Sequence, residues 1–128
     1  MWPTTEWSAF KASGGKLLTY FGWADPDINP LTLLTYRDQV KALDSGIDDF
    51  FRTFMLPGVF HCRGGPGPDR FDAMTTLIEW VEQDRAPQML ETWHQDQRSE
   101  PRPSCAYPAE ALPNRAGTLV CTTPDRVD

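Results

Sequence analysis

Positive charge is scarce in this chain. Twelve Lys and Arg against eighteen Asp and Glu leave a net charge of −6. Nucleic acids and anionic membranes need a cationic footprint, so neither is an expected partner. No apolar run approaches about 18 residues, so no membrane span is expected. The first fifteen residues, MWPTTEWSAFKASGG, have no basic region, apolar stretch or small-residue cleavage site. They do not read as a signal peptide, and a secreted protein would carry its signal upstream of this chain. There is no internal repeat and no heptad pattern. The glycine-rich run Arg63-Gly64-Gly65-Pro66-Gly67-Pro68 has neither the Lys nor the strand–loop–helix order of a phosphate-binding loop. Cysteine is also sparse, with only Cys62, Cys105 and Cys121. The closely spaced cysteine pair of structural zinc sites is missing, which argues against zinc on His61, Cys62, Cys105 and Cys121.

What is present is globular: 40% apolar and 23% charged residues over 128 positions, enough for one domain. Trp2, Trp7 and Phe10 read as anchors that dock the N-terminal stretch on a surface. After the turn Ser13-Gly14-Gly15, Leu17 to Phe21 is a continuous apolar, β-prone run, as in a parallel strand covered on both faces. Gly22 lets the chain turn at its end. Asp27 or Asn29 can cap the following helix, with Pro30 in its first turn. Leu33, Tyr36, Val40 and Leu43 then mark one helical face, ending near Ser45-Gly46. Phe50 to Leu56 is a second strand, ended by Pro57-Gly58. Asp69 can cap a helix from Arg70 to about Gln83, with Phe71, Met74, Leu77, Ile78 and Val81 inward. Leu90 to Trp93 offers a third strand. The twelve prolines, several between 101 and 113, predict an irregular last quarter.

Two strand-then-helix units in series predict an α/β fold with right-handed crossovers. Two or three strands are few for a sheet with helices on both faces, so further strands are expected before residue 1. Without them, the edge of Leu17–Phe21 is expected to make the isolated chain self-associate. Cys105 and Cys121 bracket the proline-rich segment. A bridge there would close a loop of about 16 residues and contribute roughly 3 kcal/mol. Cys62 is then left without a partner in this chain, and from spacing alone a buried free thiol is as good a reading.

The chemistry rests on Asp25, just past the first strand, and His61, just past the second. Asp25 in Trp23-Ala24-Asp25-Pro26 fits an ordinary turn before proline, and it equally fits the acid that orients a catalytic histidine. His61 fits a structural loop histidine or a general base. An acid after one strand and a histidine after the next match the later part of an α/β-hydrolase sheet. The earlier part, a serine on a Gly-x-Ser-x-Gly elbow, is absent, and Ser8, Ser13, Ser45, Ser99 and Ser104 lack that context. His94 lies in a polar Gln/Asp/Glu-rich patch and is expected to face solvent.

Several ordered pieces carry a more specific likeness: Gly15-Lys16-Leu17-Leu18 with Tyr20, Gly22-Trp23-Ala24-Asp25-Pro26, Pro30-Leu31, Asp49-Phe50-Phe51-Arg52 and Phe54-Met55-Leu56-Pro57-Gly58. His61-Cys62, Gly64-Gly65-Pro66-Gly67-Pro68, Phe71-Asp72-Ala73 and Arg102-Pro103-Ser104-Cys105-Ala106-Tyr107-Pro108 continue it, with Cys121 last. In these the chain resembles the C-terminal part of the tannase and feruloyl esterase family, from about residue 14 to 121. Two positions depart: Phe21, where the family usually has His, and Phe60, where a small residue commonly precedes the histidine.

The resemblance implies an α/β fold that is the C-terminal part of an α/β-hydrolase: an incomplete parallel sheet, flanking helices and an irregular tail. Residues 1–128 would be the C-terminal segment of the esterase domain, with 14–100 a β-α-β-α core and 101–128 the disulfide-tied tail. It implies Asp25 as triad acid, His61 as triad base, and Cys62 paired with an upstream cysteine beside the catalytic serine. No cofactor is expected in this chain; the family's calcium would sit in a lid domain outside it. The implied activity is hydrolysis of carboxylic esters of hydroxycinnamic or gallic acid type, small aromatic esters, by a secreted or periplasmic protein. The alternative is a truncated, inactive remnant or an interaction module.

Overall fold

The computed structural model describes residues 4–124; Trp2 lies outside them. A short helix α1 (Ser8–Ala12) leads to strand β1 (Leu17–Gly22), helix α2 (Leu31–Leu43), a 3-10 turn at Ile47–Asp49 and strand β2 (Phe51–Leu56). Helix α3 (Ala73–Gln83) follows, then four short strands: β3 (Met89–Thr92), β4 (Arg102–Cys105), β5 (Glu110–Pro113) and β6 (Leu119–Thr122).

The parallel pair is β1 and β2, in register from Leu17 opposite Phe51 to Gly22 opposite Leu56, with α2 as the crossover. On the other side of β2 the direction reverses. Strand β4 pairs antiparallel with β3. Just beyond β4, Ala106 forms an antiparallel bridge to Phe54, and the Tyr107 amide donates to the Thr53 carbonyl at 2.8 Å. The pairing is therefore mixed, which corrects the expectation of a parallel sheet. The tail is not irregular either. Its strands β5 and β6 form an antiparallel hairpin around a turn in which the Asn114 side chain accepts from the Ala116 and Thr118 amides at 2.9 and 3.0 Å. Strands this short tolerate proline near their ends, as at Pro113, because few ladder bonds are lost.

Strand β2 is the dry one: Phe51, Thr53, Phe54, Met55 and Leu56 are all buried. Phe50 and Phe51 join Val40 and Ile47 in the main cluster, with Trp7, Phe10, Leu17 and Tyr36 packed on it. Trp7 also donates its indole N–H to the Tyr36 hydroxyl at 2.9 Å, so α1 docks through the expected aromatics. Strand β1 is only half-buried, and among the described residues it has one paired edge.

The two long helices are rotated from their expected faces. In α2 the inward residues are Leu34, Arg37 and Val40, while Leu43 is exposed. Arg37 faces in because its guanidinium pairs with Asp48 and lies 5.4 Å from the centre of the Tyr107 ring; a search for apolar periodicity passes over it. Asn29, rather than Asp27, meets the helix start, accepting from the Leu31 amide at 3.0 Å. Helix α3 is capped by Asp72, which accepts from the Thr75 amide at 3.0 Å. It turns Trp80 inward, under the cationic ends of Lys16 and Arg52. Met74, Ile78 and Val81 are consequently exposed.

Candidate active site

The site is built where β1 and β2 end side by side. Parallel pairing puts the loops after both strands at the same edge, and two backbone bonds stitch them together. The Trp23 amide donates to the Leu56 carbonyl at 2.9 Å and the Ala24 amide to the Val59 carbonyl at 3.0 Å. Gly22 is required for this approach, and not for a turn. A Cβ there would lie 2.2 Å from the carbonyl oxygens of both Val59 and Phe60.

Asp25 follows directly. Its Oδ1 accepts from the Asp27 and Ile28 amides at 2.8 and 3.0 Å, the turn-forming role common for aspartate before proline. Its Oδ2 lies 2.7 Å from His61 Nδ1. One oxygen holds the turn and the other faces the imidazole, so the turn-forming role leaves Asp25 free to bond His61. The Asp25 side chain is fully buried, whereas that of His61 is half exposed.

The electrostatics follow from those contacts. Burial pushes the Asp25 carboxyl up, but the Ile28 amide, the His61 ring and the Asp27 amide outweigh it and hold the group below its ordinary value. The Asp25 hydrogen bond, and then its charge, raise His61 above the ordinary histidine value; desolvation opposes this and Asp27 adds to it. A bond from Nδ1–H to Oδ2 selects the tautomer in which Nε2 carries the lone pair. Among the described residues, Asp25 is the one hydrogen-bond partner of the His61 ring.

His61 sits on a loop without regular structure that is nonetheless pinned. The Gly67 amide donates to the Gly58 carbonyl at 2.9 Å and the Phe60 amide to the Gly64 carbonyl at 3.1 Å. The Asp69 carboxylate accepts from the Gly64 amide at 2.8 Å, so Asp69 serves this loop and not α3. Cys62, next to His61, is a free, exposed thiol on left-handed backbone (φ 61°). It borders an open apolar hollow of about 540 Å³ with Leu18, Tyr20, Phe21, Leu33 and Tyr36. Cys105 and Cys121 are disulfide-bonded, with Cα atoms 5.6 Å apart. His94 is not solvent-facing as expected. It is half-buried, with Nε2 3.3 Å from the Gly65 carbonyl, in a groove between the His61 loop and the β5–β6 hairpin. Ser104 is buried and donates to the Met55 carbonyl at 3.2 Å, and Ser13 donates to Phe10. Among the described residues no cluster of three His, Cys, Asp or Glu side chains is placed to hold a metal ion.

Comparison with known proteins gives the family and the fold. Residues 3–123 match the family described as tannase and feruloyl esterase. The chain is 36% identical over 121 residues to a mono(2-hydroxyethyl) terephthalate hydrolase from Piscinibacter sakaiensis, covering 91% of this chain and 20% of that protein. It is 39% identical over 88 residues to a probable feruloyl esterase from Arthroderma benhamiae, covering 65% of this chain and 16% of the relative. In fold it is similar to the crystal structure of feruloyl esterase B from Aspergillus oryzae, with a TM-score of 0.83 at 23% identity over 93% of this chain and 29% of that one. The chain thus spans about a fifth of the length of these relatives, within an α/β-hydrolase-like fold of mixed strand pairing. It belongs to the tannase and feruloyl esterase family, a family of carboxylic ester hydrolases.

Proposed function

We propose that this chain supplies the acid and the base of a serine ester hydrolase acting on small aromatic esters, Asp25 orienting His61 and His61 carrying the proton. The observation that carries the reading is the 2.7 Å contact between Asp25 Oδ2 and His61 Nδ1, made by a fully buried carboxylate at the end of a parallel strand pair. With Nδ1 engaged, Nε2 takes the proton from a serine hydroxyl as its oxygen bonds to the ester carbonyl carbon. The same nitrogen returns that proton to the alkoxide as the bond to the departing alcohol breaks. Water then repeats the cycle on the acyl-enzyme, its proton passing through Nε2 and the serine oxygen leaving, which frees the acid. Asp25 stays ionised throughout and stabilises the imidazolium.

The serine and its oxyanion hole belong, in this reading, to polypeptide outside this sequence, and Cys62 pairs with a cysteine there. The same polypeptide supplies neighbours to β1 and cover to Met74, Ile78 and Val81; alone, the chain self-associates through those surfaces. Residues 14–100 are the core of the segment and 101–128 its tail. The Cys105–Cys121 bond favours a secreted or periplasmic setting. Of the relatives, one is named for terephthalate monoester hydrolysis and another for feruloyl ester hydrolysis, which supports aromatic acids as the acyl group.

The test is turnover of methyl ferulate, methyl gallate and a nitrophenyl ester. The 128-residue chain alone is expected to give none, since acid and base do not replace a nucleophile and an oxyanion hole. Joined to the N-terminal portion of an intact relative, it is expected to give turnover that His61→Ala abolishes and Asp25→Asn lowers about 10⁴-fold. Turnover by the joined protein that survives His61→Ala would sink the reading.

A further inference from the structure

The loop that presents His61 has no regular secondary structure, and a small set of bonds gives it its shape. Gly58, Cys62, Gly64 and Gly65 are all left-handed, with φ of 71°, 61°, 78° and 90°, and glycine loses the most conformational freedom on ordering. Only a few bonds hold such a loop to one shape. Gly64 is their junction: its carbonyl accepts from Phe60 at 3.1 Å and its amide donates to Asp69 at 2.8 Å. The Phe60–Gly64 bond closes the turn that contains His61. The Asp69 bond is, among the described residues, the one side-chain bond to the backbone of residues 60–64.

Asp69 makes this bond from a buried position. Its side chain is 6% exposed, and Oδ1 is buried with no hydrogen bond among the described residues. The cation paired with it is Arg70, at 3.5 Å and half exposed. Taking a carboxylate out of water is costly unless it is hydrogen-bonded or paired. Burial pushes its pKa up, yet the Gly64 amide, Arg70, its own backbone amide and His94 together outweigh this and keep it ionised. A charged acceptor makes a stronger bond than a neutral one, and the bond it makes is the one next to His61.

The geometry points to Asp69 as a positioning residue for His61: its buried carboxylate clamps Gly64, and through the Phe60–Gly64 turn holds the imidazole against Asp25. This rests on the general-base reading of His61 for its functional meaning, but its test does not.

The experiment follows the His61 ring signals of the 128-residue chain through a pH titration by NMR, at moderate salt, in the parent and in Asp69→Ala, Asp69→Asn and Arg70→Ala. The groups facing His61 that set its midpoint are Asp25 and Asp27. Loosening the Asp25 contact in Asp69→Ala is expected to lower the midpoint by about 0.5–1 pH unit. Asp69→Asn keeps a neutral acceptor for the Gly64 amide and is expected to lower it by less than half as much. Arg70→Ala, which leaves the Gly64 bond in place, is expected to leave it unchanged. An unmoved midpoint in Asp69→Ala overturns the proposal. So does an equal shift in Asn and Ala, which would make charge and not the bond responsible. Loss of the folded circular-dichroism signal in Asp69→Ala also overturns it, because the residue would then hold the fold and not the loop. A dependence on Asp69 in a chain whose joined form hydrolyses no ester would refute the catalytic reading and leave this one standing.

Discussion

Replacing Gly22 by alanine strains the site from a position that carries no chemistry. The glycine is paired with Leu56 at the end of β1, and an added Cβ would meet the Val59 and Phe60 carbonyl oxygens at 2.2 Å, against an ordinary contact of 3.4 Å or more. Both obstacles are backbone, so no side-chain rotation relieves them. The 59–60 segment must retreat by roughly 1 Å, a displacement that can cost about 10²-fold in rate when it reaches reacting groups. The retreat also stretches the 3.0 Å bond from the Ala24 amide to Val59, which joins the loops of Asp25 and His61. Overpacking of this kind destabilises by about 1–3 kcal/mol. Urea unfolding of the 128-residue chain reads the stability, and the His61 NMR signals read the site. Gly22→Ala is expected to lower the unfolding midpoint and to bring the His61 titration down toward an ordinary histidine. A variant with the parent's midpoint and the parent's His61 titration would refute the claim that close approach at Gly22 holds the site together.

The Cys105–Cys121 bond closes a loop of 16 residues, so its loss, read as the urea difference between the parent and a Cys105→Ser/Cys121→Ser chain, is expected to cost about 3 kcal/mol; labelling without reductant should mark Cys62 alone. Stability should also peak in mildly acidic solution. Asp25, Asp69 and Asp72 are held below their ordinary 3.8, so their contribution is whole above that value and is lost as the pH falls through their folded values. His61 is held above 6.5, so its contribution is whole below 6.5 and is lost as the pH rises through its raised value. Urea midpoints from pH 3 to 9 check this, and a maximum lying above the His61 titration would contradict it.

The site pair was legible because its signal is positional: Asp25 and His61 each follow an apolar strand by a few residues, and parallel strands deliver such loops to one edge. The turn signals Ser13-Gly14-Gly15 and Pro57-Gly58 bounded the strands for the same reason. Burial was less legible. Met74, Ile78 and Val81 have helical spacing, but spacing says only that they share a face, and α3 turns Trp80 inward instead. Arg37 is inward on α2 because Asp48 and Tyr107 receive it, partners that an apolar pattern does not contain. The tail strands were hidden by proline count, although Asn114-Arg115-Ala116-Gly117 between Ala111-Leu112 and Leu119-Val120 carries a hairpin signal. Gly22 and Asp69 acquire their roles only from the three-dimensional approach of residues 59, 60 and 64, and no spacing rule encodes that.

The central claim is that Asp25 and His61 form one acid–base unit. Its most direct measurement is the His61 titration in the 128-residue chain, followed by NMR in the parent and in Asp25→Asn. The parent should titrate above 6.5, with the carboxylate holding the proton on the ring; Asp25→Asn should fall back to that value or below it. A parent at or below 6.5, or a midpoint unchanged by Asp25→Asn, would contradict the account.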